Sequence, residues 1–365
     1  MTAASPATEA SARGRAFHPL TVAGVESLCD DAVAVTFDVP AALTDEFAFA
    51  AGQSLTLRRT IDGVEHRRSY SICSPVGRRP RVGVREVTDG LFSTWLVHDV
   101  RAGDTVEVQG PTGTFAADPE TAGVHVLIAA GSGITPMLSI AATVLTNPGS
   151  RVILVYGNRR TRSVMFADEI ADLKDQYHDR LDVIHVLSRE PRDVELFTGR
   201  VDAERLRELL RTVVPTADAD HFWLCGPHGM VTDAEAVLAE LGVARNAIHR
   251  ELFYVDDGTP PPQERHREPG VEGPSSAVTV VLDGRSVTGT TSQDDTLLDG
   301  AEAFRSDLPF ACKGGVCGTC RAKVLCGTVD MRRNYALEDD EVAAGFVLTC
   351  QTYPTSDAVT VDFDA

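Results

Sequence analysis

Four cysteines carry the strongest chemical signal in this sequence. Cys312, Cys317 and Cys320 stand in the run Cys-Lys-Gly-Gly-Val-Cys-Gly-Thr-Cys, and 29 residues separate Cys320 from Cys350. The spacing C-x4-C-x2-C…C suits a [2Fe–2S] cluster, which needs three thiolates from a tight wrap and a fourth from a distant strand. Gly314, Gly315 and Gly318 suit that wrap, because thiolate and sulfide must accept main-chain N–H bonds at close approach. A structural zinc site is the rival reading, but it favours paired C-x2-C knuckles and the second pair is missing. A cluster of this kind moves one electron at a time, so other residues must supply the electrons.

Four further stretches have the residue types for that work. Arg68-Ser69-Tyr70-Ser71 offers a cation, an aromatic face and a hydroxyl, as a flavin needs. Taken alone, an ordinary amphipathic strand with Arg and Tyr outward explains it better. Gly90-Leu-Phe-Ser93-Thr94 puts glycine and hydroxyls at a helix start, which reads as a pyrophosphate seat or a plain capped helix. Gly131-Ser132-Gly133-Ile134-Thr135-Pro136 joins an apolar run to a helical pattern, the arrangement of a dinucleotide turn. It departs from G-x-G-x-x-G by ending in Pro136, which a first helical turn tolerates. Arg159, Arg160 and Arg162 follow the next strand, and no acidic residue ends that strand to grip a ribose hydroxyl. Guanidinium groups there favour the 2′-phosphate of NADPH, with NADH as the alternative.

The elements that must position these residues fall into three blocks. From His18 to about Pro119, short β-rich runs separated by Gly, Asp and Pro predict an antiparallel β-barrel. From 120 to 255, apolar runs alternate with helical patterns, predicting an α/β domain with a parallel sheet. Asp256 to Ser276 is rich in Pro, Gly and charge and reads as a linker. A third, small domain is expected over 277–365. Residues 1–16 read as a disordered tail with no apolar signal segment. The net charge of −19 argues against nucleic acid and anionic lipid as partners. Four of the eight cysteines remain scattered (Cys29, Cys73, Cys225 and Cys326), which fits reduced thiols in a cytoplasm.

Together these motifs resemble the ferredoxin–NADP reductase superfamily. Arg68, Tyr70 and Ser71 match its R-x-Y-[ST], Gly90 and Ser93 its G-x-x-S, and Gly131 to Pro136 its G-x-G-x-x-P. Cys225-Gly226-Pro227 through Met230 resembles its C-G-P-x-x-M, and Glu251 with Phe253 its E-x-F. The resemblance implies FAD held by Arg68, Tyr70 and Ser71, with Gly90, Ser93 and Thr94 as the seat that favours FAD over FMN. It implies NADPH over Gly131, Gly133, Thr135, Pro136, Arg159, Arg162, Gly226 and Pro227. Tyr70, Ser71, Cys225 and Glu251 are then expected beside the reacting rings, and Phe253 against the flavin. For Glu251 alone, a surface carboxylate is the competing reading.

A β-grasp ferredoxin domain would complete the chain. No oxygen-activating metal motif is present, so the oxidant is expected on another protein, the oxygenase component of a multicomponent monooxygenase. The stretch "NYALEDDEVAAGFVLTCQ" is most similar to reductase subunits of phenylacetyl-CoA epoxidases. Reductases of steroid ring hydroxylases are the alternative. A flavohaemoglobin-type module is a third reading, disfavoured because no globin segment precedes the flavin block. The acidic run Glu338 to Glu341 reads as a docking face for a basic partner or as a solvated helix.

Overall fold

The computed structural model describes residues 16–61, 63–88, 90–253 and 274–365. The tail over 1–15 and most of the linker, 254–273, lie outside these. The chain forms two compact units, Phe17–Val255 and one containing Asp256–Ala365.

The first unit begins with six antiparallel strands: β1 (Phe17–Cys29), β2 (Ala32–Asp38), β3 (Ser54–Ile61), β4 (Val64–Ser71), β5 (Arg81–Arg85) and β6 (Thr105–Thr112). They lie in the order β4-β3-β6-β1-β2-β5, and one bridge, Ile72 to Val82, joins the two edges. Register shifts at Val22/Gly24, Ser27/Cys29 and Ser54/Thr56 mark the bulges that let such a sheet curl. Leu20, Val35, Phe37, Leu55, Leu57 and Ile72 fill the interior. Helix α1 (Leu91–His98) covers it with Phe92 and Leu96.

The chain then turns to β7 (Val124–Ala130), α2 (Ile134–Val144), β8 (Arg151–Asn158), α3 (Ala167–Gln176), β9 (Leu181–Leu187), α4 (Ala203–Thr212), β10 (His221–Gly226), α5 (His228–Glu240) and β11 (Ile248–Leu252). The sheet is parallel in the order β11-β10-β7-β8-β9. The continuous apolar run of β7 is what a strand covered on both faces requires. The strand order reverses direction at β7/β10, so ligand sites fall beyond the carboxyl ends there.

These two halves share one core. Ala32, Ala34, Ala51 and Phe115 from the barrel side pack with Leu127, Ile134, Tyr156 and Trp223. Gly83 on β5 is required by this contact: a Cβ there would stand 2.5 Å from the Thr135 side chain and 2.8 Å from Phe166. Arg81 adds a bidentate pair to Glu169 of α3, at 2.8 and 2.9 Å.

The second unit holds β12 (Ser275–Leu282), β13 (Arg285–Ser292), α6 (Leu297–Glu302), β14 (Arg321–Cys326), β15 (Val329–Met331), α7 (Asp339–Ala343), β16 (Phe346–Leu348), β17 (Thr352–Pro354) and β18 (Ala358–Asp362). Its main sheet is mixed, β13-β12-β18-β14-β16, with β12 and β18 parallel and α6 packed on it through Leu297, Leu298 and Ala301. The sheet starts at Ser275, two residues before the expected boundary, because Ser275 and Ser276 already pair with Ser292 and Thr291.

Candidate functional site

The glycine turn after β7 is shaped by contact with β10. A Cβ on Gly133 would stand 2.1 Å from the carbonyl oxygen of Cys225, so the turn and the end of β10 touch backbone to backbone. Gly131 takes φ +57°, and its carbonyl accepts a hydrogen bond from the Tyr156 hydroxyl at 3.0 Å. Thr135 is buried and donates to the carbonyl of Ser132, while Pro136 sits in the first turn of α2. Gly226 leaves room for Met230, and Pro227 leads into α5.

Beside this turn, three side chains from distant strands converge. The Ser71 hydroxyl at the end of β4 donates to Glu251 Oε2 at 2.9 Å, and Cys225 Sγ lies 4.0 Å from the same oxygen. Cys225 and Glu251 are register partners on β10 and β11. The Glu251 residue keeps some exposure, but its carboxyl end is enclosed, and that burial pushes its pKa up to about 7 against the Ser71 hydrogen bond. It is therefore not the surface carboxylate of the competing reading. Burial, with the Glu251 charge adding to it, also drives the Cys225 thiol well above its ordinary value, so it stays protonated. Phe253, just past β11, packs half-buried against the shared core.

On β4, Arg68 is exposed while Arg67 is buried. Tyr70 shares the Arg68 face, and its ring centroid lies 6.2 Å from that of Phe92. Burial raises the Tyr70 phenol, and the Arg68 charge opposes the rise. At Gly90 a Cβ would collide with Ser93 Oγ at 2.6 Å. The Ser93 hydroxyl is spent inside the turn, accepting from Val87 N–H and donating to the Gly90 carbonyl, both at 3.1 Å. Thr94 donates to Glu86. The hydroxyls expected to face a pyrophosphate thus serve the turn itself.

Arg159 and Arg162 lie exposed beyond β8 with Arg160. Sequence reasoning missed what joins them. Past the sheet, Ser188 and Arg189 N–H donate to the carbonyls of Asn158 and Arg159, so the loops after β8 and β9 run side by side. Arg85 was missed too. From β5 it reaches the Ser163 carbonyl at 2.6 Å and Asp31 at 3.2 Å, and its Nη1 stands 3.3 Å from where a Gly131 Cβ would be. Only tertiary structure brings that guanidinium to the turn; its sequence neighbours carry no sign of it.

In the second unit, the thiols form two pairs, Cys312 with Cys317 and Cys320 with Cys350. Among the described residues no three of His, Cys, Asp and Glu gather as a single metal ion requires. The contact from Cys317 and main-chain N–H groups of Gly314, Val316 and Cys317 hold Cys312 below the ordinary thiol range. Lys313, Gly315 and Gly318 adopt φ of +48°, +80° and +69°, which turns those donors inward. Cys326 is exposed at the end of β14, apart from both pairs. In the acidic run, Glu338 and Glu341 form a reciprocal capping box at the N-terminus of α7, and Glu341 also accepts from Arg321 at 2.9 Å. That leaves Asp339 and Asp340 as its outer charges.

Comparison with known proteins follows this division. The sequence matches the models of an oxidoreductase FAD-binding domain over residues 19–116, an oxidoreductase NAD-binding domain over 127–236 and a 2Fe-2S iron-sulfur cluster binding domain over 280–355. It is 46% identical to one of the subunits of the 1,2-phenylacetyl-CoA epoxidase of Escherichia coli (strain K12), covering 96% of this chain and 98% of that protein. It is 34% identical to the ferredoxin reductase component of 3-ketosteroid-9-alpha-monooxygenase from Rhodococcus rhodochrous, covering 94% and 96%. The fold is similar to that of phthalate dioxygenase reductase, with a TM-score of 0.58, 23% identity and coverage of 95% and 98%. No helix among the described residues is long and apolar enough to cross a membrane.

Proposed function

Because the chain belongs to the ferredoxin–NADP reductase superfamily, in the branch with a C-terminal [2Fe–2S] ferredoxin domain, we propose that it is the NADPH-dependent reductase component of a phenylacetyl-CoA 1,2-epoxidase. That it is an NAD(P)H-dependent flavin and iron–sulfur oxidoreductase follows from its three domains. The finer reading is carried by one observation, the 46% identity to the Escherichia coli epoxidase protein across nearly both whole chains. The 34% identity to a steroid monooxygenase reductase keeps a steroid ring hydroxylase as the second reading.

When bound, nicotinamide supplies a hydride, FAD divides the electron pair, and the cluster releases electrons singly. The side chains do the rest. Arg68 offers its exposed guanidinium to the FAD phosphates, and Tyr70 presents its ring face. The N–H groups of the Gly131–Gly133 turn and the Arg85 guanidinium receive the nucleotide pyrophosphate. Ser71, Cys225 and Glu251 line the meeting point of the two rings. A neutral Cys225 and a carboxyl that is neutral below about pH 7 put no fixed negative charge where electron density must arrive. Arg159 and Arg162 face the 2′-phosphate, which favours NADPH. Cys312, Cys317, Cys320 and Cys350 would hold the cluster, which supplies one-electron transfer when bound.

The test is reconstitution. Purified chain should carry about one FAD and two irons with acid-labile sulfide. Mixed with NADPH, phenylacetyl-CoA and purified epoxidase oxygenase components, it should yield the ring-epoxidised thioester. Product formed equally well without this chain, or turnover only with a steroid hydroxylase, defeats the epoxidase assignment. Zinc without labile sulfide defeats the electron path.

A further inference from the structure

The arginine-rich loop after β8 already holds an anion of the protein's own. Glu190 follows β9, and its Oε1 accepts from the Thr161 hydroxyl at 2.6 Å while its Oε2 accepts from the Thr161 N–H at 2.9 Å. Thr161 stands between Arg160 and Arg162, and the paired loops bring Arg159 and Arg189 beside them. Among the described residues no hydrogen bond or ion pair engages the guanidinium groups of Arg159 or Arg162. The loop lies beyond the carboxyl ends of the parallel strands, where dinucleotides bind in such sheets. A carboxylate and a phosphate ester compete for the same donors, an N–H, a hydroxyl and guanidinium groups.

We propose that Glu190 is a specificity-determining competitor. Its carboxylate occupies the seat at Thr161 that a nucleotide 2′-phosphate would take, and NADPH must displace it while NADH need not. The inference rests on the reading that the arginine loop receives the 2′-phosphate. It explains how a loop so basic can coexist with an acid in its midst: the acid fills the seat and keeps the loop folded until the phosphate arrives. The Thr161 hydrogen bonds, with Arg160 and Arg192 nearby, hold the Glu190 carboxyl below its ordinary range, so the competitor is charged at any neutral pH.

Two small probes separate the parts. Inhibition by 2′,5′-ADP and by 5′-AMP is measured in NADPH–ferricyanide assays on the FAD-loaded full chain, as wild type and as Glu190→Gln, Arg159→Ala and Arg162→Ala. Removing one exposed charge should strengthen 2′,5′-ADP inhibition about two- to fivefold in Glu190→Gln and leave 5′-AMP unchanged. The arginine variants should weaken 2′,5′-ADP. If Glu190→Gln leaves 2′,5′-ADP unchanged or weaker while the arginine variants weaken it, the competitor role is wrong and the phosphate reading stands. Weaker 5′-AMP binding in Glu190→Gln also overturns it, since Glu190 would then hold the ribose. If neither arginine variant affects 2′,5′-ADP, the 2′-phosphate reading fails, and the competitor role with it.

Discussion

The two redox regions are built in opposite ways. The thiol site of the second unit draws its four residues from one stretch, 312 to 350, and its geometry comes from a loop of positive-φ residues. The site of the first unit is assembled. Ser71 and Glu251 stand 180 residues apart in sequence yet 2.9 Å apart in space, and Cys225 reaches them from a third strand. What brings them together is the core shared by barrel and parallel sheet, in which each buried Leu or Val contributes on the order of 1.5–3 kcal/mol. A local site depends on its loop; an assembled site depends on the packing of everything between its parts.

The largest expected effect breaks the local site alone. Cys317→Ser removes one thiolate from one pair, a more direct injury than the outer-sphere changes that cost roughly 10–100-fold. Cytochrome c reduction should fall about a hundredfold or more, and support of the oxygenase with it. NADPH–ferricyanide activity should survive, because the assembled site uses none of these residues. If both activities vanish, the two regions are not independent and the path is not linear.

A smaller effect sharpens the assembled site. The folded-state pKa of Glu251 is raised, so its neutral form is favoured by folding. That stability is fully present below about pH 4.5 and is lost as pH rises through about 7, by roughly 3 kcal/mol. A charge beside an electron-accepting ring also opposes its reduction. The NADPH–ferricyanide rate should therefore decline from pH 6 to pH 8 in wild type and stay flat in Glu251→Gln. Ser71→Ala removes a donor to the charged form and should move the inflection upward. An unchanged wild-type-like decline in Glu251→Gln assigns the titration elsewhere.

This contrast also explains what the sequence made legible. The cluster motif was legible without the fold, because its four cysteines fall in one stretch and three of them lie within nine residues. The residues expected at flavin and nicotinamide were picked out through family motifs, and the strands through their period, but the contacts among those residues were not legible. Glu251 alone read equally as a surface acid, because burial of its carboxyl depends on β4 and β10. Arg85 and Glu190 stayed hidden: each acts on a loop more than 25 residues away in sequence. The hydroxyls of Ser93 and Thr94 looked free because their partners, Val87 N–H and Glu86, belong to the preceding turn.

The smallest effect concerns the foot of the parallel sheet, opposite the nucleotide end. His125, His221 and His249 lie at the starts of β7, β10 and β11 and cluster around Trp223, with the Trp223 and His249 rings stacked at 4.1 Å between centroids. Trp223 donates to His125 Nδ1 at 3.3 Å. Burial, then the charges of His221 and His249, lower the His125 pKa to about 4, against the pull of Asp220. Burial and His221 lower His249 as well. A histidine lowered on folding contributes stability that is present above about pH 6.5 and lost as pH falls toward 4, roughly 3 kcal/mol for His125. Glu251 runs the other way over nearly the same range, so the two nearly cancel in wild type and single variants expose them. In His125→Gln, whose amide oxygen can still accept from Trp223, urea stability followed by flavin release should rise as pH falls from 6.5 to 4.5. In Glu251→Gln it should fall over that interval. Parallel pH slopes in the two variants would show that neither group governs the assembled region.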